Sequence, residues 1–415
     1  MNKKIKLTII ILSSLLVIAL GFLAYIYFTR EIPKPEENVT IENKTFEYNT
    51  EACTYDILEV GENKTIDTMT LGDYSYTARE ETEEKIINYT IKYSIVDTTP
   101  PLILGSANKS IEKGKGLNIV DAYICADNYD DKPHCFVEGE YDTNKIGEYK
   151  MVYYAEDSHG NKNSKDIKLT VVKPSNSSSS STKRTDISEY IKKYKTENTK
   201  IGIDVSAWQS NIDWKKAKNA GVEFAIIRMA YGPSDGKYKF DSKYEKNLKG
   251  AKDQGIPVGL YFFSYSTSIE ESRKEAQWLV EQLKGTELDL PIAYDWESWS
   301  KYNSLGYSIY HFNQMAEVFI EEIEKAGYKG MLYSSAYYLK HIWHDYDYTW
   351  LAYYTNDNDY MGQYNIWQLT SSGKVNGISG SVDIDILYDP RIEKKVIVPE
   401  ENETNGTNET NKTGE

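Results

Sequence analysis

The sequence predicts a multidomain chain in which an α/β barrel follows two all-β repeats and one N-terminal transmembrane helix. An uncharged apolar run extends from Leu7 to Phe28, and short alternating segments with turn residues between them fill residues 38–173. From Ile201 to Tyr388 apolar strands alternate with helices. The length of 415 residues fits two or three domains better than one.

The N-terminal run is long enough to cross a bilayer core of about 30 Å at about 1.5 Å per residue. Three lysines within the first six residues precede it. We therefore expect residues 1–6 in the cytoplasm, an anchor at 7–28, a stalk at 29–37 and the rest outside a single-pass membrane protein. A cleaved signal peptide, with a weak site at Ala19-Leu20-Gly21, is the alternative.

Charge and composition limit the classes of molecule that the protein is expected to bind. The 63 acidic residues exceed the 48 lysines and arginines, for a net charge of -15, which argues against nucleic acid. The chain has 36 tyrosines, whose rings can stack on sugars but also fill half-buried strands.

Cysteine and histidine are scarce. Cys125 and Cys135 lie in one short segment and could form a disulfide, which leaves Cys53 over. With 5 histidines and no zinc-ribbon spacing, we expect neither a structural metal nor a cofactor.

The all-β region divides into a repeat at 38–98 and another at 99–173. Leu71–Tyr76 matches Ile146–Met151, and residues 89–95 match 166–172. We predict two β-sandwich repeats. A Ser-rich linker with a short helix follows at 174–197, and a polar, disordered tail occupies 393–415.

Residues 198–392 are predicted to form a TIM-like barrel with five β/α units and three final β-strands. Five strands are each followed by a helix pattern, and three bare strands end the domain. This alternation indicates a parallel barrel, whose functional groups lie at the C-terminal ends of its strands.

Acidic residues cluster at the predicted mouth. Side chains alternate along a strand, so Asp295 and Glu297 should face the interior while Tyr294 and Trp296 pack outward. The first and last strands are neighbours in a closed barrel, which should bring Asp204 and Asp383 to the same place.

Ionising every carboxyl group of a cluster costs free energy because like charges repel, so at least one pKa should rise. A general acid for glycosidic cleavage requires such a raised pKa. A Ca²⁺ or Mg²⁺ site is the competing interpretation, although no Asp/Asn-rich ligand loop accompanies the strands. No Gly-x-Ser-x-Gly elbow and no barrel cysteine supplies another nucleophile.

At these residues the barrel resembles glycoside hydrolase family 25, the lysozymes (N-acetylmuramidases) that cut peptidoglycan. The matching motifs are "GIDVSAWQSNIDW", "FAIIRMAYG", "AKDQGIPVGLYFFSYS", "LPIAYDWES", "WLAYY" and "IWQLTSSGKVNGISGSVDID". The second repeat is similar to bacterial immunoglobulin-like repeats, through "DTTPPLI", "ADNYDD", "DTNKIGEYKMVYYAEDSHGN" and "IKLTVV".

The first resemblance implies a retaining hydrolase of peptidoglycan glycan strands. Glu297 would be the general acid, and Asp295 would orient the substrate's own 2-acetamido group. Asp204 and Asp383 would complete the acidic pocket. The aromatic groove positions would be Tyr261, Tyr333, Tyr354 and Trp367.

The sequence departs from the family at two positions and is compatible with three functions. Many members carry an acid where Tyr231 precedes Gly232, and Asn is usual where this chain has Asp385. The favoured function is a muramidase on the outer face of the membrane of a Gram-positive bacterium. A non-catalytic wall-binding or adhesion protein and a hydrolase of another N-acetylhexosamine polymer, such as chitin, are the alternatives.

Overall fold

The structure is a computed structural model that describes residues 3–30, 33–174, 183–232 and 237–388. The predicted tail, most of the Ser-rich linker and the first two residues lie outside this described part. The chain divides into two compact units, Met1–Thr98 and Thr99–Glu415.

The first unit contains one helix and one sheet, formed by α1 (Lys3–Thr29), β1 (Glu36–Glu47), β2 (Gly72–Glu81) and β3 (Ile86–Val96). Within α1, Ile9–Thr29 has a mean hydropathy of 2.7 and is long and apolar enough to cross a membrane, a property that signal sequences share. The sheet order is β1-β3-β2, with β1 parallel and β2 antiparallel to β3.

A two-sheet sandwich at 38–98 is therefore wrong. Between β1 and β2 the described chain forms a loop with one short 3₁₀ turn and a single antiparallel bridge between Cys53 and Thr65, and no further strands. This loop packs Ala52 and Ile66 against Ile95 of the sheet, so a loop covers the face that a second sheet was expected to cover.

The second unit begins with a small β domain at residues 99–172, which has two sheets. Its strands are β4 (Leu102–Leu104), β5 (Asn108–Glu112), β6 (Ile124–Ala126), β7 (His134–Glu138), β8 (Gly147–Glu156) and β9 (Lys162–Val172). One sheet has the order β5-β9-β8-β7, and β4 pairs with β6 in the other. A disulfide between Cys125 and Cys135 joins β6 to β7.

The sequence similarity between the two repeats corresponds to a shared strand arrangement. In each repeat a hairpin (β2–β3, β8–β9) pairs through its second strand with an earlier parallel strand, β1 or β5. The second repeat adds β7 and the β4–β6 pair, which the first lacks among its described residues.

The rest of the second unit is a barrel surrounded by helices. Its strands are β10 (Thr185–Asp186), β11 (Lys200–Val205), β12 (Phe224–Tyr231), β13 (Lys239–Phe240), β14 (Val258–Ser264), β15 (Ile292–Trp296), β16 (Gly330–Ser335), β17 (Thr349–Ala352), β18 (Ile366–Lys374) and β19 (Val382–Leu387). Its helices are α2 (Ile187–Tyr194), α3 (Trp214–Asn219), α4 (Tyr244–Asp253), α5 (Ile269–Leu283), α6 (Tyr302–Leu305), α7 (Ile309–Lys325) and α8 (Ala336–His341).

Eight of these strands close the barrel in the order β11-β12-β14-β15-β16-β17-β18-β19, with β19 pairing again with β11. The prediction of a wholly parallel barrel is wrong for β19, which runs antiparallel to both of its neighbours. Residues 375–381 connect β18 to β19, fewer than the dozen or more residues that a parallel crossover needs.

The outer face of β15 packs on helix α7, as the alternation predicted. Tyr294 contacts Phe319 with ring centroids 5.0 Å apart, and Trp296 contacts Phe312 at 4.9 Å. Helix α2 also belongs to this outer layer, since Ile187 and Tyr190 are buried in the barrel's core cluster. The packed barrel thus begins before residue 198.

One ionisable side chain of α5 is buried between this helix and the C-terminal ends of β12 and β14, outside the barrel interior. Glu275 is 3% exposed and accepts a hydrogen bond from Ser264 Oγ. A Cβ placed on Gly232 would clash with the carboxylate end of Glu275, so a larger residue there would require the Glu275 side chain to move. Burial raises the pKa of Glu275 to about 8, although the hydrogen bond from Ser264 opposes the rise.

We predict that Glu275 makes the barrel less stable as pH rises. Its pKa is raised in the folded state, so the folded protein keeps a proton that the unfolded chain loses above its ordinary pKa. Stability should fall between about pH 4.5 and pH 8, by a few kcal/mol in order of magnitude. Thermal unfolding of Glu275→Gln should show a smaller fall over this pH range.

The matched control is Glu281→Gln, an exposed position on the same helix, which should unfold with the pH dependence of the wild type. Equal pH dependence in the wild type and Glu275→Gln would show that Glu275 does not hold its proton.

Candidate active site

Five carboxyl groups meet at the C-terminal mouth of the barrel. Asp204 of β11 and Asp383 of β19 are directly paired in the strand register, as predicted from strand adjacency. Asp204, Asp295 and Asp385 are 7%, 4% and 0% exposed. Asp383 is half-buried, and Glu297, immediately after β15, is exposed at the rim.

The antiparallel direction of β19 explains the position of Asp383. This residue is near the start of its strand, and in a parallel strand it would lie at the opposite end of the barrel from the mouth. Because the last strand is reversed, Asp383 lies at the same end of the barrel as Asp204 and Asp295, which are near the C-terminal ends of their own strands.

Burial and mutual repulsion raise the pKa values of the three carboxyl groups that β11 and β19 supply. Burial raises the pKa of Asp204 well above its usual range, and the charges of Asp383 and Asp385 add to the rise. The pKa of Asp383 is raised to about 6, again chiefly by burial. Asp385 has its pKa raised by burial and by Asp383, so this acid in place of the usual asparagine adds to the cluster's proton affinity.

The two acids of β15 also have raised pKa values. For Glu297 the main cause is desolvation within the cleft, which a hydrogen bond with Tyr333 opposes. For Asp295 the causes are burial and then the charge of Glu297, while Arg228 lowers its pKa. Desolvation is therefore the main cause for both acids, and Asp295 gains proton affinity as well as Glu297.

Gln368 of β18 connects three groups of the site and was missed in the sequence. Its Nε2 donates to Asp204 Oδ2 at 2.7 Å, and its Oε1 accepts from the hydroxyls of Tyr333 and Tyr354, both at 2.9 Å. The amide therefore holds one acid and two aromatic side chains together. Its inward position follows from strand alternation, so the sequence could have indicated it.

Arg228 brings positive charge to the acidic mouth and was also missed. It lies at the mouth end of β12 and forms an ion pair with buried Asp241, with Arg228 Nη2 2.7 Å from Asp241 Oδ2. Ala207 N–H donates to the same oxygen at 2.9 Å. Asp241 thus fixes the guanidinium, whose charge favours ionised Asp295.

The four predicted aromatic positions divide into three groups. Tyr333 and Tyr354 line the cleft. Tyr261 is 8% exposed and belongs to the cluster of side chains inside the barrel. Trp367 is not in the cleft: it faces outward, donates from Nε1 to Tyr353 O at 2.8 Å and packs edge-on against Tyr194. Alternation along β18 points Gln368 inward and therefore Trp367 outward.

Two cavities meet at Glu297. One has a volume of about 500 Å³ and is lined by Glu297, Trp299, Tyr333, Ser334, Ser335, Ala336, Tyr337, Tyr338, Ala352, Tyr353 and Tyr354. The other, about 760 Å³, is lined by Ala207, Trp208, Arg228, Tyr231, Phe240, Asp241, Ser242, Phe263, Tyr265 and Glu297. Aromatic faces on both sides of a carboxylic acid suit a polysaccharide that passes through the cleft.

One oxygen of Asp295 lacks a partner. Its Oδ1 is buried and has no hydrogen-bond partner among the described residues. A buried acceptor of this kind is costly unless a ligand supplies a donor. The same carboxylates are the groups at the mouth that could hold a hard cation, although Gln368 and Trp350 already donate to Asp204 and Asp385.

Comparisons with known proteins found a matching family model and several relatives. Residues 203–378 match the model of glycosyl hydrolases family 25. The chain is 28% identical over 199 residues to the uncharacterized protein YegX of Escherichia coli K12, covering 45% of this chain and 68% of YegX. It is 28% identical over 192 residues to the autolytic lysozyme of Clostridium acetobutylicum, covering 44% and 54%.

A solved structure, the modular autolysin LytC of Streptococcus pneumoniae in complex with a synthetic peptidoglycan ligand, is 24% identical with a TM-score of 0.40, covering 57% of this chain and 56% of that one. The chain thus spans little more than half the length of the clostridial lysozyme and of LytC. The match to glycosyl hydrolases family 25 thus covers most of the barrel and less than half of the chain.

Proposed function

We propose that the protein is a membrane-anchored peptidoglycan hydrolase. It cleaves the β-1,4 bond between N-acetylmuramic acid and N-acetylglucosamine, with retention of configuration. The similarity to an autolytic lysozyme supports this substrate. So does a 63-residue stretch that is 41% identical to lysozyme M1 of Streptomyces globisporus, although it covers 15% of this chain and 20% of that protein.

The unpartnered Oδ1 of Asp295 is the observation that carries the mechanism. In the proposed complex it accepts a hydrogen bond from the N–H of the substrate's 2-acetamido group. That bond orients the acetamido oxygen toward the anomeric carbon, where it acts as the internal nucleophile.

Glu297 is the proposed general acid. Its position between two aromatic cavities lets one glycan strand cross it, with sugars on both sides of the scissile bond. It donates its proton to the leaving oxygen and then, as a carboxylate, activates the water that opens the intermediate. Asp204 and Asp383 complete the pocket and position the sugar.

The remaining parts of the chain have proposed roles that follow from their order. The apolar helix anchors the protein in the cytoplasmic membrane of a Gram-positive cell, and the β repeats hold the barrel away from the bilayer. The enzyme then acts on the wall from its inner side.

Product analysis tests the proposed reaction. Purified protein incubated with peptidoglycan should release fragments whose new reducing end is N-acetylmuramic acid, identified by mass spectrometry. Glu297→Gln should lower release at least about a thousandfold and keep the melting temperature. New N-acetylglucosamine reducing ends would contradict the assigned bond. Binding without new ends would favour a wall-binding protein.

The activity should be lost as pH rises. Glu297 must be protonated to act, and its pKa is raised above its usual 4.5. We therefore expect kcat/KM on soluble peptidoglycan fragments to persist above pH 4.5 and to fall as pH passes through the pKa of Glu297. An activity that increases steadily from about pH 5 to about pH 9 would exclude Glu297 as the acid.

Loss of the Gln368 amide should disable the site without unfolding the barrel. In Gln368→Leu, Asp204 loses a donor and the hydroxyls of Tyr333 and Tyr354 lose their acceptor. We expect kcat/KM to fall by about tenfold to a hundredfold. Gln363→Leu, at an exposed position, is the control. Unchanged kinetics in Gln368→Leu would show that this network does not support catalysis.

A further inference from the structure

The β domain at 99–172 packs against the segment that directly follows Glu297. This segment, here called the post-acid segment, comprises residues 298–311. It contains a 3₁₀ turn (Trp299–Lys301), α6 and the first turn of α7. Elements of three and four residues are too short to be stable alone, so neighbouring contacts must determine their conformation.

Asn303 joins α6 to strand β6 and its approach. Cys125 N–H donates to Asn303 Oδ1 at 3.1 Å, and Asn303 Nδ2 donates to Tyr123 O at 2.8 Å. One side-chain amide thus satisfies a donor and an acceptor of the β-domain backbone.

Asp131 holds the start of helix α7. Its Oδ1 accepts from Ser308 N–H at 2.8 Å and lies 2.6 Å from His311 Nδ1. Nearby, Ile309 N–H donates to Asp127 O at 2.7 Å. The β domain therefore provides hydrogen-bond acceptors for the first backbone N–H groups of this helix, which have no partners within it.

Apolar packing continues the contact. Leu104, Ile124 and Ala126 of the β domain belong to the same buried cluster as Tyr302 of α6. Tyr302 is 2% exposed and stacks on Trp299, with ring centroids 6.4 Å apart.

These contacts continue to one side of the substrate cleft, here called the aromatic wall, which consists of Trp299, Tyr337 and Tyr338. Trp299 stacks on Tyr338 with centroids 3.5 Å apart, and both line the cavity of about 500 Å³ beside Glu297. Gly105 N–H donates to the hydroxyl of Tyr337, a third lining residue, at 2.8 Å. Two separate parts of the β domain thus hold the same wall.

We propose that the β domain is a positioning element of the substrate cleft as well as a spacer. Through Asn303, Asp131 and Gly105 it fixes the aromatic wall on one side of Glu297, and this wall binds the glycan strand. The inference rests on the proposed function. Asp295 is on β15 and Glu297 directly follows this strand, so β15 positions both acids. Loss of the β-domain contacts should therefore weaken glycan binding and leave the chemical step intact.

The test uses the full chain in detergent and soluble peptidoglycan glycan fragments. Asn303→Ala removes both hydrogen bonds between α6 and the β domain, and the nearly isosteric Asp131→Asn removes the carboxylate charge that faces His311 and the start of α7. We expect KM to rise about fivefold or more, with kcat within about twofold of the wild type. Hydrogen exchange of the backbone amides in residues 299–309 should become faster.

Asp130→Asn is the matched control. Asp130 accepts hydrogen bonds from Ser158 within the β domain, and it makes no hydrogen bond to the described residues of the barrel. It should leave KM and exchange in the post-acid segment unchanged.

Two results would overturn the proposal. Faster exchange with unchanged KM would show that a fixed wall is not needed, and unchanged exchange would show that the β domain does not fix it. A wild type that cuts no glycan would instead refute the proposed function, and the exchange experiment would still report on the contact.

Discussion

The site depends on keeping five carboxyl groups close together in a place with little water. Burial of a carboxylate is costly unless it is paired or protonated. At this mouth the guanidinium of Arg228, the amide of Gln368 and the indole N–H of Trp350 reduce that cost. The cost of burial that these groups do not offset raises the pKa of all five carboxyl groups. The cluster therefore retains a proton that can be transferred within a partly desolvated site.

The barrel supplies this environment through its closure. Because β19 runs antiparallel, Asp383 faces Asp204 of β11 across one strand pair. Bulky inward side chains, Tyr261, Tyr333 and Trp350, fill the space beneath the acids. Helix α7 fixes the outer face of β15, so the carboxyl groups at its end have a rigid support on one side and the cleft on the other.

Local periodicity in the sequence predicted much of this and missed what depends on distant parts of the chain. Alternation placed Tyr294 and Trp296 outside, and the adjacency of the first and last strands placed Asp204 beside Asp383. The same rule, applied to β18, would have turned Trp367 outward and Gln368 inward. The reversed β19, the loop that replaces a second sheet in the first repeat, and the pairing of Asp131 with His311 need tertiary contacts that no local pattern encodes.

The proposed mechanism requires that the cleft desolvates the Glu297 carboxyl group enough to raise its proton affinity, although the side chain lies exposed at the rim. A carboxyl ¹³C chemical-shift titration of protein with labelled glutamate, assigned by comparison with Glu297→Gln, measures this directly. We expect the Glu297 resonance to titrate above the usual pKa of 4.5. A resonance that titrates at or below that value would contradict the proposed mechanism.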